Sequence, residues 1–103
     1  MIARIWTAKA TQAQAPVYAG HFESQVLSAL REVDGYAGAK LLERATPDGI
    51  EIVVITFWQS LDAIRKFAGA ELEKAVVSDE VIPLLLRYDR QVIHYEVVVE
   101  DEV

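Results

Sequence analysis

The hydrophobic positions of this chain alternate between two spacings, and each switch marks a new element. From Ile50 to Phe57 almost every position is apolar: Ile52 and Val54 point one way along an extended chain, and Val53, Ile55 and Phe57 the other. A strand that is apolar on both faces needs cover on both. The pattern then lengthens to helical spacing. Ser60 is suited to cap a helix, Asp62 falls in its first turn, and Leu61, Ile64, Phe67 and Ala68 make its apolar stripe before Gly69 breaks it. A chain this short covers one sheet face with its own helices, which leaves the other to a second copy.

The flanking segments follow the same logic. Ile2, Ile5 and Trp6 mark a first strand over residues 2–9. Pro16 suits a helix start, and Tyr18, Phe22, Val26, Ala29, Leu30 and Val33 recur at helical spacing until Asp34-Gly35. A second strand spans Tyr36 to Arg44, with Gly38 as a bulge or close-approach point, and Pro47-Asp48-Gly49 turns it back as a hairpin. After Gly69 a further helical piece is predicted over Glu71 to Val77. Residues 78–89, broken by Pro83, read as a short helical turn or an extended cover strip. Arg90 to Val99 is the last strand. The order β-α-β-β-α-β predicts an α+β, ferredoxin-like subunit over residues 1–103, with strands one and three central, and a homodimer.

Composition narrows the chemistry. The 103 residues include no cysteine, so disulfides, thiolate metal sites and cysteine nucleophiles are excluded. The hydrophobic share of 52% is high for one small domain and favours an oligomer. The net charge of −6 comes without a basic stripe, so no nucleic-acid partner is expected. No apolar run approaches a membrane span, and the start lacks the layout of a signal peptide; a cytoplasmic location is the expectation.

Three segments carry a resemblance: Met1-Ile2-Ala3-Arg4-Ile5-Trp6, Val54 through Ile64 (VITFWQSLDAI), and Ile93-His94-Tyr95-Glu96-Val97. The chain resembles the antibiotic-biosynthesis-monooxygenase-like family of dimeric α+β barrels over nearly its whole length. The resemblance implies a barrel shared by two subunits, and either cofactor-independent oxidation of polycyclic phenols to quinones or haem degradation. Trp58 stands where that family often places a pocket-lining tryptophan. The haem-degrading branch has an axial histidine after the second helix; Glu73-Lys74-Ala75-Val76-Val77 has none. The asparagine that recurs in the active sites of both branches is missing too, since the chain contains no asparagine. Haem degradation is therefore disfavoured, and no cofactor is expected.

Among individual residues, His94 is the candidate catalytic base, because an imidazole titrates near neutral pH. Its alternative reading is a structural histidine at the dimer interface. If the last strand pairs Arg4 with Glu96, Trp6 faces His94. Trp6 and Trp58 are candidates to clamp a flat aromatic substrate, or else are core. Arg87, with Tyr88, is a candidate for an anionic or phenolic group at a pocket mouth. His21, at the edge of the first helix's apolar stripe, reads as a surface or boundary residue, or else as one that looks into a pocket between helix and sheet. Two histidines without clustered carboxylates predict no metal site, and no phosphate loop or nucleophile elbow is present. Two functions stand: a cofactor-free monooxygenase of an aromatic or phenolic small molecule, and a non-catalytic binding or stress-response barrel.

Overall fold

The computed structural model describes residues 1–103. Strand β1 (Ile2–Ala10) lies inside one antiparallel sheet, with β3 (Gly49–Trp58) along one side and β2 (Tyr36–Thr46) beyond it at the edge. The short strands β4 (Arg87–Tyr88) and β5 (Ile93–Glu96) share the other side of β1. This is the expected ferredoxin-like order. Pro47 and Asp48 turn the β2–β3 hairpin between the paired Thr46 and Gly49. Gly49 adopts a positive φ of 147°, and a Cβ there would lie 2.6 Å from the Ala10 carbonyl oxygen. The expected irregularity at Gly38 is a shift of register between Tyr36 and Gly38.

All helices cover one sheet face. Helix α1 (Ala15–His21), a π turn (Phe22–Val26) and α2 (Leu27–Arg31) run on as one rod that buries Tyr18, Phe22 and Leu30. In the π turn the Leu27 N–H donates to the Phe22 carbonyl, one residue further back than in an α-helix. Helix α3 (Leu61–Ala68) starts as expected, with the Ser60 hydroxyl accepting from the Ala63 N–H at 3.1 Å. Gly35 joins the two layers. Its φ is +92°, and a Cβ there would meet the Ala63 Cβ at 2.5 Å. Its carbonyl accepts from the Gln59 N–H at 2.8 Å.

The sheet positions alternate by face. Ile2, Arg4, Trp6, Ala8 and Ala10 of β1, with Ile52, Val54, Thr56 and Trp58 of β3, are buried beneath the helices. Opposite them, Ile5 pairs with Ile55 and Thr7 with Val53 on the face that carries no helix. Ile93 and Tyr95, on that same open face, are 58% and 56% exposed.

Two sequence expectations need correction. Residues 71–77 form no helix. After a turn closed by the Lys74 N–H on Glu71 O at 3.1 Å, the chain is a strap paired to residues 90–92, with the Ala75 N–H donating to Arg90 O at 2.9 Å and the Val92 N–H to Glu73 O at 2.7 Å. An isolated helix this short is marginal in water, and β-branched Val76 and Val77 weaken it further. The last strand is also split. Residues 90–92 leave β1 to pair with the strap, and β5 rejoins β1 with His94 opposite Arg4 and Glu96 opposite Ile2. The register therefore differs from the expected one by two residues. A two-residue slip preserves parity, so His94 still shares a face with Arg4 and Trp6. Only its neighbour changes.

Candidate functional site

Between the helical rod, the sheet and the strap lies a cavity of about 500 Å³. Its floor is the inner sheet face: Arg4 and Trp6 from β1, Val54 and Thr56 from β3, and Val92. Tyr18, His21, Phe22 and Gln25 of the rod form the opposite wall, Phe67 closes one end, and Val76 to Val81 of the strap closes the side. The π turn carries Phe22, Gln25 and Val26 on the cavity wall. Such turns recur at functional sites.

Trp6 and Tyr18 have ring centroids 6.0 Å apart, and Tyr18 and Phe22 6.4 Å, so three aromatic rings run across the cavity. The Trp6 indole N–H donates to the Asp89 carbonyl at 2.8 Å, which fixes the ring against the sheet. Burial raises the Tyr18 phenol well above the ordinary tyrosine range, and it stays neutral at physiological pH.

Arg4 is the charged group of the floor and is only 4% exposed. Its Nη1 donates to Leu72 O at 2.6 Å and lies 3.0 Å from His94 Nε2, and its Nη2 donates to Lys74 O at 2.8 Å. The guanidinium also lies 5.8 Å from the centre of the Phe67 ring. Arg4 therefore ties the strap to the sheet. An arginine has no acceptor, so His94 accepts through an unprotonated Nε2. Burial, and then the neighbouring Arg4 charge, lower the His94 pKa, with Glu73 opposing them. Burial also lowers the Arg4 pKa, again opposed by Glu73.

The four residues singled out from the sequence have different fates. Trp6 lines the cavity. Trp58 does not: it is fully buried between Tyr36 and Phe67, with centroids 5.5 Å from each, and its indole donates to Thr56 Oγ1 at 2.8 Å. His94 stands behind Arg4 and off the cavity wall. Arg87 pairs with Lys9 across β4 and β1, away from the wall. The imidazole that does reach the wall is His21. Arg4 was not singled out as a site residue, yet the sequence carried a signal for it. It is the lone charge among the inward positions of β1, which are otherwise Ile2, Trp6, Ala8 and Ala10.

The strap brings no imidazole to the cavity and His94 Nε2 is already engaged by Arg4; the imidazole on the wall, His21, comes from the helical rod instead.

No family model matches the chain, and no curated protein matches it. Solved structures do. The haem-degrader MhuD from Mycobacterium tuberculosis, with two haems bound in its active site, matches with a TM-score of 0.70 at 17% identity, over 99% of this chain and 100% of that one. A Bacillus cereus protein described as a presumptive antibiotic biosynthesis monooxygenase matches at 0.71 and 16% identity, over 100% of this chain and 96% of its own. A Streptomyces coelicolor monooxygenase in complex with nanaomycin D matches at 0.71 and 20% identity, over 99% and 91%. Over essentially its whole length, this chain shares the ferredoxin-like α+β fold of these structures.

Proposed function

We propose that this protein is a cofactor-independent monooxygenase acting on a flat aromatic or phenolic small molecule held in the cavity. The observation that carries the reading is a space of about 500 Å³ walled by Trp6, Tyr18 and Phe22. That volume lies within the range of about 300–1,000 Å³ usual for ligand pockets. Structural neighbours that include a monooxygenase holding nanaomycin D support it. In such chemistry the deprotonated substrate is itself the reductant. A ring methylene becomes a carbonyl, one oxygen atom of O2 going to carbon and the other leaving as water. The protein supplies aromatic walls, exclusion of water and a proton acceptor. His21, the imidazole on the wall, is the acceptor in this reading. His94 acts through Arg4 as a positioning residue.

The test is oxygen uptake and quinone absorbance with anthrone as substrate. Wild-type protein should consume oxygen in proportion to quinone formed, and His21→Gln should lose roughly two orders of magnitude in turnover. Binding of anthrone without oxygen uptake would leave a binding barrel and refute the enzyme.

We also propose that a second copy covers the open sheet face. Ile5, Val53, Ile55 and Phe57 lie there with no helix above them, and Ile93 and Tyr95 extend the patch. Light scattering should give twice the chain mass at micromolar concentration, and Ile55→Glu should abolish folding. A stable, folded monomer of the wild type would refute this.

A further inference from the structure

Arg4 is a buried cation without an anion. The ion pairs of this protein involve Lys9, Arg44, Arg65, Arg87 and the N-terminus, and none involves Arg4. Its acceptors are two backbone carbonyls and a neutral imidazole, at 2.6, 2.8 and 3.0 Å. These satisfy hydrogen bonds but leave the charge uncompensated, which is the costly arrangement for a buried ion. Those contacts occupy only part of the donor fork of a guanidinium. The same side chain forms part of the cavity floor, next to Trp6.

Other charged groups face this region, and none of them makes an ion pair with Arg4. Glu73, on the strap, acts on Arg4 only through space, and its side chain is exposed. Asp79 and Glu80 belong to the cavity edge and are exposed to water, where their charge is screened. Lys74 offers Arg4 its carbonyl and is itself exposed. His94 accepts from Arg4 as neutral imidazole and adds no negative charge. The rest of the floor is Trp6, Val54, Thr56 and Val92, so the fixed charge beneath a bound molecule is positive.

We infer that the ligand of this cavity carries an oxyanion on its aromatic body, a carboxylate or a phenolate, and that Arg4 is the residue that selects it. The inference rests on the cavity being the ligand site, as proposed above, and adds the charge of the ligand. The oxyanion takes the free donors of the fork while the ring lies against Trp6 and Phe22. A guanidinium suits this role because its planar donors match an oxyanion and it stays charged when buried. Binding then also supplies the missing counter-charge to the group that ties the strap to the sheet.

Isothermal titration calorimetry with 2-naphthoate and 2-naphthalenemethanol separates charge from shape, since the two probes share a ring system. Wild-type protein should bind the carboxylate at least about tenfold more tightly, roughly the gain from one charged hydrogen-bonded contact. The phenolate source is read with 4-nitrophenol, whose anion absorbs in the visible; binding should increase the phenolate fraction below its ordinary pKa. Tight 2-naphthoate with no phenolate shift assigns a carboxylate ligand, and the converse assigns a phenolate. Arg4→Lys should keep part of the preference for the anion. Arg4→Met, checked for folding by circular dichroism, should bind both naphthalene probes alike. Because Arg4→Met also releases the strap, the comparison of probes on the wild type decides the matter even if that variant unfolds. Equal affinity of the wild type for the two naphthalene probes, with no phenolate shift, overturns the role of Arg4 and leaves the aromatic cavity standing. Absence of binding by all probes at millimolar concentration overturns both readings.

Discussion

Replacing Trp58 with alanine tests whether this tryptophan is part of the fold or part of the site. Its ring is fully buried, stacks on Phe67 and meets Tyr36 edge-on, each with centroids 5.5 Å apart. Truncating a buried tryptophan to alanine costs about 3–5 kcal/mol, through lost transfer energy and the cavity left behind. The two ring contacts place the loss toward the upper end, since each adds about 0.5–1.5 kcal/mol beyond area. The indole also donates to Thr56 Oγ1 at 2.8 Å. Trp58→Phe keeps most of the ring area and loses only that bond and some volume, so about 1–2 kcal/mol is expected. Domains of this size are stable by only about 5–15 kcal/mol. Trp58→Ala should therefore lower the urea midpoint by about 2–2.5 M, taking a slope near 2 kcal/mol per M. The assay is urea unfolding followed by circular dichroism at one fixed protein concentration, because any dimer makes the midpoint concentration-dependent. If Trp58→Ala lost less than about 1 kcal/mol while its affinity for 2-naphthoate collapsed, Trp58 would be a ligand residue and the packing argument would fail.

Other outcomes follow from the same contacts. His94 has a lowered pKa in the folded state, so the unfolded chain binds more protons as pH falls below about 6.5. Its contribution is present at pH 7 and is lost on acidification, when imidazolium and guanidinium would stand side by side; the melting temperature of wild type should fall more between pH 7 and pH 5 than that of His94→Gln. An equal fall in both would remove His94 as the cause. Gly35→Ala should destabilise by about 2 kcal/mol or more in urea unfolding, from positive-φ strain together with the overlap on Ala63. Ser60→Ala, which removes only the α3 cap, should cost about 1 kcal/mol in the same assay, and a neutral result would show the cap to be redundant. Titrated hemin should give no saturable Soret shift that a histidine substitution abolishes; seeing one would overturn the expectation against haem.

Local signals along the chain were enough to define most of the fold. The continuous apolar run of β3, the Ser60 cap, the Pro47-Asp48-Gly49 turn and the helical stripe from Tyr18 to Leu30 act between residues close in sequence, so spacing and turn chemistry expose them. The element order then follows, and with it the inner position of β1. The strap and the split last strand are different. Residues 71–77 have a helical pattern that loses to hydrogen bonds with residues 90–92, and that competition exists only once the sheet has formed. The same competition moved His94 from Trp6 to Arg4. For the site, sequence identified aromatic and basic residue types and placed Trp6 on the same sheet face as His94. It could not tell that Trp58 fills a sealed core while Trp6 lines a cavity, because both are inward-facing tryptophans on neighbouring strands. That division depends on which helix residues lie above each: Ala63 and Ile64 pack down over Trp58, whereas the π turn and the strap stand off from Trp6 and leave room beside it. Cavity volume is a difference between packed surfaces contributed by segments far apart in the chain, so only the tertiary structure decides it.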